Sequence, residues 1–315
     1  MAKDRDAPPG RDASVDRTAV TLTALRYLVA LAECGHFGRA AKASHVSQPT
    51  LSEQIARLER VLGAALVERG RGARLTAAGH GAVERARRIL REVDELATAA
   101  SAAQAPLAGP FRLGVIPTLG PYLLPALLPA ARAAYPDLRL HLHEALTATL
   151  LAEVADHRLD AALVALPATL PGLVSRTLFH EPFLVLLPRA HPLAARCTLA
   201  AADLQDQRLL LLDEGHCLRE QALALCSRAG LALAPETTHD VRATSLETVA
   251  RLVAAGLGVT LLPARAAKDL PAGLVTRPLV GDGNTPPGRT IGLLWRKSHP
   301  RPGDQQALAD LLARV

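Results

Sequence analysis

Cysteine is sparse. Cys34, Cys197, Cys217 and Cys226 are the four in 315 residues, too few and too scattered for a disulfide-stapled secreted domain or a tetrahedral zinc site. They fit a reducing, cytoplasmic compartment, where a cysteine packs as a small hydrophobe or does transient chemistry. Long apolar runs are missing too. Hydrophobic residues make up 49% of the chain, but the longest stretches are broken by proline, as between Ala161 and Val174, so no membrane span is expected. The first twenty residues alternate acids, bases and proline (Asp4, Arg5, Asp6, Pro8, Pro9) and lack the apolar centre of a secretory signal. Residues 1–20 read as a disordered extension. Aspartate is absent between positions 36 and 91, where 11 Lys and Arg face four Glu. That segment alone outweighs the chain's net charge of +6, so the remainder is close to neutral.

A chain of this length exceeds one hydrophobic core, so two or three domains are expected. A basic block ahead of a neutral body reads as a polyanion-binding head on a ligand-binding or sensing body. In the head, Leu25, Leu28, Val29 and Ala32 fall on one face of a helix starting at Leu22. Phe37 opens a short second helix through Ala40 and Ala41, and Ser44 to Val46 form a turn. Ser47 then serves as an N-cap, with Pro49 tolerated in the first turn. Leu51, Ile55, Leu58 and Leu62 form the buried face of this third helix, which Gly63 stops. Gln48, Thr50, Ser52, Glu53, Gln54 and Arg57 remain for solvent or DNA. Two helices joined by a tight turn, with short polar side chains opening the second, have the form of a helix-turn-helix reader. Leu66 to Leu75 carries Arg69, Arg71 and Arg74 around Gly70 and Gly72, a hairpin suited to lie as a basic wing against phosphates.

Thr76 to Gln104 reads as a long helix in which Val83, Ala86, Leu90, Val93, Ala97 and Ala100 make a heptad seam for pairing with a second copy. A break follows at Pro106 to Pro110. Beyond it, strands and helices alternate. Strands are expected at Phe111–Ile116, Leu138–His143, Ala161–Leu166, Phe183–Leu187, Leu209–Leu212, Val259–Leu262 and Thr290–Leu294. Helices are expected at Leu123–Tyr135, Thr147–Asp156, Leu218–Ala229 and Ser245–Ala255. This alternation argues an α/β architecture with ligands at strand carboxyl ends.

The run Ala40-Ala41, Ser47-Gln48-Pro49-Thr50-Leu51-Ser52, Gln54-Ile55, Leu58-Glu59, Leu62-Gly63, Glu68-Arg69 and Leu75-Thr76-Ala77-Ala78-Gly79 resembles the signature of LysR-type transcriptional regulators. Within that family the body resembles the hydrogen-peroxide sensors. The segments that carry this are Ile116 to Pro125, His143-Glu144-Ala145, Asp213 to Ala222, Arg242 to Thr248 and Arg289 to Leu293. The resemblance implies an α/β fold with an all-α winged helix-turn-helix head (21–75). A linker helix (76–105) joins it to a two-lobed regulatory domain (110–315) like the periplasmic binding proteins. Lobe I would take about 110–180 and 286–315, and lobe II about 181–285. It implies a homodimer or homotetramer on double-stranded promoter DNA, with RNA polymerase and cellular thiol reductants as further partners and no cofactor, metal or enzymatic turnover. By position, Cys217 matches the peroxidatic cysteine and Cys226 the resolving one. Thr118, Thr147, His216 and Arg289 match the pocket that holds peroxide. Gln48, Pro49, Thr50, Ser52, Gln54, Arg57, Arg71 and Arg74 would meet DNA. Cys197 has a counterpart outside the switch, and Cys34 reads as a packing residue. The wing looks about one residue short of the family's, and a few residues are inserted near Leu231 to Pro235.

If Cys217 and Cys226 pair, the chain between them sets a condition. Nine residues of helix separate Cα atoms by roughly 13 Å and place them on opposite faces, whereas a disulfide needs them within about 7 Å. The bond would require the helix to unwind or refold, giving two packings of one segment. The helix N-terminus, with Arg or His nearby, is expected to lower the Cys217 pKa, and Cys226 is expected to be buried. Three other readings remain open: a LysR-type regulator of metabolism binding a small anion between the lobes, a thiol peroxidase, and a ligand-binding protein without regulatory output.

Overall fold

The basic head is built by local capping and one compact apolar core. The structure, a computed structural model, describes residues 19–70, 72–100, 105–228, 230, 243–268, 270–281 and 286–315. The chain divides into two units, one ending at Ala97 and one starting at Thr98. In the first, the Thr21 hydroxyl accepts from the Ala24 N–H at 3.2 Å and starts α1 (Leu22–Cys34). His36 caps α2 (Phe37–Ala43) by accepting from the Gly38 N–H, and Ser47 caps α3 (Gln48–Leu62) by accepting from the Thr50 N–H. Leu25, Leu28, Leu31, Ala40, Ala41, Leu51, Ile55 and Leu58 meet in one core, the faces that helical periodicity selects.

The wing follows as a hairpin, β1 (Val67–Gly70) antiparallel to β2 (Gly72–Leu75). Glu59 at the end of α3 ties it down: one carboxylate oxygen accepts from the Leu66 and Val67 N–H groups at 2.8 and 3.0 Å. The head is thus helical with a two-stranded wing rather than wholly α. Thr76 caps α4 (Ala77–Ala100) through the Gly79 N–H at 2.9 Å. Gly79 is needed there, because a Cβ would sit 2.0 Å from the Leu66 carbonyl oxygen. The expected seam on α4 is corrected in its first half. Val83 and Ala86 are buried in the head's own core with Leu90 packed against it, while the large apolar side chains left exposed on this helix are Ile89 and Leu96, one heptad apart.

In the second unit an eight-stranded sheet runs β4–β3–β5–β10–β6–β9–β7, with β8 paired to β6. Its strands are β3 (Gly109–Val115), β4 (Leu138–Glu144), β5 (Ala161–Leu166), β6 (Leu173–Pro188), β7 (Leu199–Ala200), β8 (Thr260–Pro263), β9 (Leu274–Val280) and β10 (Gly288–Arg296). β3 is parallel to β4 and β5, with α5 (Gly120–Ala134) and α6 (Thr147–Ala155) as crossovers. β10 returns antiparallel to both β5 and β6. The remaining helices are α7 (Cys217–Arg228), α8 (Leu246–Ala254) and α9 (Pro302–Leu312). Three apolar clusters divide by chain segment: the first draws on 107–166 and 291–312, the other two on 183–279. β6 joins these regions. Its first half pairs with β10 and its second half with β8 and β9.

Most expected elements appear within one or two residues, with four corrections. β6 begins ten residues before the expected Phe183, since its first half alternates half-buried and exposed positions and offers no apolar run. Leu209–Leu212 forms isolated bridges to Val259 and Ala243 rather than a strand. α5 starts at Gly120, with Pro121 accepted in its first turn. Sequence reading missed β7, β9 and α9. Residues 1–18 of the extension, the whole 231–235 insertion, Arg71 and Ala229 lie outside the described residues.

A buried carboxylate, paired with a partly exposed guanidinium, ties β3 to the start of β5. Asp160 accepts from the Arg112 N–H at 2.7 Å and from its guanidinium at 2.8 and 3.2 Å, with His299 at 3.6 Å. Burial by itself would raise this carboxyl's pKa, but the hydrogen bonds from His299 and Arg112 and the Arg112 charge hold it well below the usual range. Asp160→Asn is expected to cost about 2 kcal/mol at pH 7, the scale of charged hydrogen bonds, in urea unfolding followed by Trp295 fluorescence. The folded pKa lies below the unfolded one, so the wild-type advantage is whole above about pH 4 and shrinks as pH falls further. Equal gaps at pH 7 and pH 3 contradict this assignment.

Candidate redox site and nucleic-acid interface

Cys217 is the first residue of α7 and the place where different cores meet. It is half-buried against the first apolar cluster, while Leu218 beside it belongs to the second and Cys226 to the third. All four cysteines are free. Gly215 makes the approach possible: at φ +88 it takes the left-handed turn before the helix, and a Cβ would lie 2.9 Å from Leu146. That turn sets Cys217 beside Thr147, the first residue of α6.

Arg289 faces the thiol from β10 and is spread over two partners. Its Nη1 donates to the Thr118 hydroxyl at 2.6 Å and its Nη2 to the Thr118 carbonyl at 2.9 Å. Its Nε and Nη2 both lie 2.8 Å from Glu181 Oε2. Arg289 and Glu181 are 2% exposed and Thr118 3%, so the set is held out of water. Because the Thr118 oxygen accepts from Arg289, its own proton is left to donate. The Thr147 hydroxyl is buried without a well-directed hydrogen bond, and the Cys217 thiol is near enough for that hydroxyl to pull its pKa down.

Two electrostatic expectations are corrected. Burial pushes the Cys217 thiol up and outweighs the Arg289 charge, the Thr147 hydroxyl and the Leu218 N–H that pull it down; Glu220 adds to the rise. His216 is buried, and desolvation lowers its pKa despite the opposing Asp213 charge. At neutral pH it is therefore a neutral imidazole with one donor and one acceptor, and it adds no cation to the thiol.

Cys226 is 0% exposed and packs with Val185, Leu187, Leu199, Leu204, Ala222 and Leu261. Burial, with no compensating partner, raises its pKa as well. Leu218, Ala222 and Cys226 share the buried face of α7, as their spacing requires. The two sulfurs thus belong to opposite ends and opposite faces of one continuous 12-residue helix.

In the head, Gln48, Pro49, Thr50, Ser52 and Arg57 of α3 are exposed, Gln54 is half-exposed, and Arg74 is exposed on β2. The Ser47 and Thr50 hydroxyls are bonded to each other at 2.7 Å. Polar side chains therefore open the helix on its solvent side while Leu51, Ile55 and Leu58 anchor the other.

Residues 22–80 match the bacterial regulatory helix-turn-helix protein, lysR family, and residues 104–315 match the LysR substrate binding domain. The chain belongs to the LysR family. It is 45% identical over 291 residues to the DNA-binding transcriptional dual regulator OxyR of Escherichia coli, covering 91% of this chain and 93% of that one. It is 43% identical over 298 residues to a probable hydrogen peroxide-inducible genes activator of Streptomyces viridosporus, covering 94% of each. Among solved structures, a full-length OxyR variant from Pseudomonas aeruginosa aligns with TM-score 0.71 at 40% identity, covering 93% of this chain and 97% of that one. A peroxide-bound Corynebacterium glutamicum OxyR mutant aligns with TM-score 0.65 at 39% identity, covering 93% and 92%. Like other LysR-type regulators, the chain has a winged helix-turn-helix head and a two-lobed α/β regulatory domain.

For this LysR-family chain the structure gathers Cys217, Thr147, Thr118 and Arg289, with His216 adjoining in sequence, and it keeps Cys226 apart. Two neighbours escaped sequence reading. Gln221 lies one turn after Cys217, and its Oε1 is buried without a hydrogen bond; the i, i+4 spacing was a usable signal. Glu181 is directly opposite Arg289 in the β6–β10 register, a pairing 108 residues apart that no local pattern reveals. The raised thiol pKa predicts a pH profile. The alkylation rate of Cys217 by iodoacetamide, read on its peptide by mass spectrometry, is expected to go on rising through the range where an ordinary thiol levels off. A plateau near neutral pH contradicts the burial argument.

Proposed function

We propose that the chain is a transcriptional regulator that senses hydrogen peroxide by oxidation of Cys217 and a reversible Cys217–Cys226 disulfide, controlling oxidative-stress genes. The observation that carries the reading is a half-buried thiol beside a buried guanidinium and two threonine hydroxyls, with its second thiol sealed in another core. Thr118, Thr147, His216 and Arg289 hold the peroxide. The Cys217 thiolate attacks one peroxide oxygen and the O–O bond breaks. Sulfur becomes a sulfenic acid, and the departing hydroxide takes up the proton released by the thiol. Arg289 and the hydroxyl donors stabilise the charge on that leaving oxygen, and neutral His216 can pass the proton along. The Cys226 thiol then attacks the sulfenic sulfur and expels water, so two thiols and one peroxide give a disulfide and two waters.

The high resting pKa fits a sensor, which fires once and needs no turnover. The likeness to OxyR supports the peroxide assignment, since an OxyR relative has been solved with hydrogen peroxide bound. Gln48, Pro49, Thr50, Ser52, Gln54, Arg57, Arg71 and Arg74 form the DNA-contacting set, with base edges read by the polar side chains and phosphates met by the arginines. Subunits pair through α4, where Ile89 and Leu96 remain uncovered, and assemble as a homotetramer in the cytoplasm. Among the described residues no helix is long and apolar enough to cross a membrane. Refolding of α7 alters how protomers dock and so the spacing of half-sites on DNA. RNA polymerase reads the result, and cellular thiols reset the disulfide.

Brief micromolar peroxide is expected to remove two thiols per wild-type chain and none in Cys217→Ser, and to change the footprint on the target promoter in the wild type alone. Cys226→Ser should stop at the sulfenic acid. Loss of two thiols in Cys217→Ser, or identical footprints before and after oxidation of the wild type, overturns the reading.

A further inference from the structure

The buried ion pair behind the thiol has a consequence for how readily the switch fires. Arg289 does not face Cys217 as a lone cation. Its guanidinium is bonded to Glu181 Oε2 at 2.8 Å, and both residues are almost fully buried. Glu181 is fixed on its other side too, since its Oε1 accepts from the Arg265 N–H at 3.3 Å. The Arg265 side chain is in turn stacked over Phe179 at 4.6 Å. Backbone register sets the pair, because Glu181 and Arg289 are opposite residues of β6 and β10. From the distance of the thiol a carboxylate in contact with a guanidinium cancels much of its field, and water is not present to screen either. The other groups facing the thiol are the Thr147 hydroxyl from α6 and the Leu218 N–H and Glu220 from α7. Tyr122 from α5 feels the Arg289 charge as well, together with those of Glu247 and Glu144.

We propose that Glu181 is a positioning residue that acts as a brake on Cys217: it aims the Arg289 guanidinium at Thr118 and the thiol, and withholds most of its charge from the sulfur. The proposal rests on the reading of Cys217 as the oxidised thiol and adds the element that sets its threshold. Glu181 touches neither peroxide nor sulfur, and its whole effect passes through the acidity of the thiol.

The test uses the full-length reduced protein and iodoacetamide as probe, with the Cys217 peptide followed by mass spectrometry across pH. Glu181→Gln keeps an acceptor for Arg289 and removes the negative charge. Its alkylation midpoint should fall by about one unit, the low end of what an opposing charge achieves. A tenfold gain in thiolate is partly offset by lower intrinsic nucleophilicity, so the rate at pH 7 should rise about threefold. Arg289→Gln, which leaves Glu181 uncompensated, should move the midpoint up. A merely structural disturbance would move both variants towards an ordinary thiol, and so in the same direction. If Glu181→Gln fails to fold by far-ultraviolet circular dichroism, Glu181→Met, of similar shape and without the charge, takes its place with the same fall in midpoint expected. A midpoint unchanged or raised in folded Glu181→Gln, or lowered in Arg289→Gln, overturns the proposal. Alkylation needs no peroxide. Should Cys217 prove inert to peroxide while both midpoints move as stated, the sensing function falls and the brake stands.

Discussion

Two sulfurs on one helix cannot meet while the helix stands. Cys217 opens α7 and Cys226 lies in its last turn, so the rise and twist of an α-helix hold their Cα atoms roughly 13 Å apart on opposite faces. Everything else in the regulatory unit follows from that incompatibility. A disulfide between them is a different local fold, and a segment with two mutually exclusive packings is what a switch requires. Burial adds a second lock. Cys226 reaches a sulfenic acid only if Leu218, Ala222 and Cys226 leave apolar contacts drawn from the 183–279 region, which makes the oxidised arrangement one of rearranged packing as well as of a new bond.

The electrostatics of the site work in the same sense. A reactive cysteine is commonly pictured as a thiol made acidic by its surroundings, yet here desolvation wins over the guanidinium, the threonine hydroxyl and the helix N-terminus. The reduced state is accordingly quiet. His216 adds no cation, and the Arg289 guanidinium is shared with Glu181. In the proposed reaction the same groups serve the charge that develops on the departing oxygen rather than the resting thiol.

Much of this was legible in the chain. The capping residue Ser47, the apolar faces of α1 and α3, the hairpin around Gly70 and Gly72, and the buried face carrying Cys226 all arise from contacts within a few residues, and local patterns report them. The first half of β6 was not legible, because it pairs with β10 through half-buried and exposed positions and carries no apolar run to announce a strand. Nor was Glu181, whose importance comes from register with a strand more than a hundred positions away. The expected acidity of Cys217 failed for a related reason: helix position is written in sequence, but desolvation is a property of the assembled lobes. On α4 the sequence pattern alone could not say whether Val83 and Ala86 pack inward or onto another copy; the core of the head claims them.

Amide hydrogen exchange across residues 217–228, compared between reduced and peroxide-oxidised full-length protein, tests the central claim most directly. Slow exchange in the reduced form, lost over this segment in molecules whose Cys217 and Cys226 peptides are disulfide-linked, is the predicted result. A linked pair with the helix's protection unchanged would contradict it.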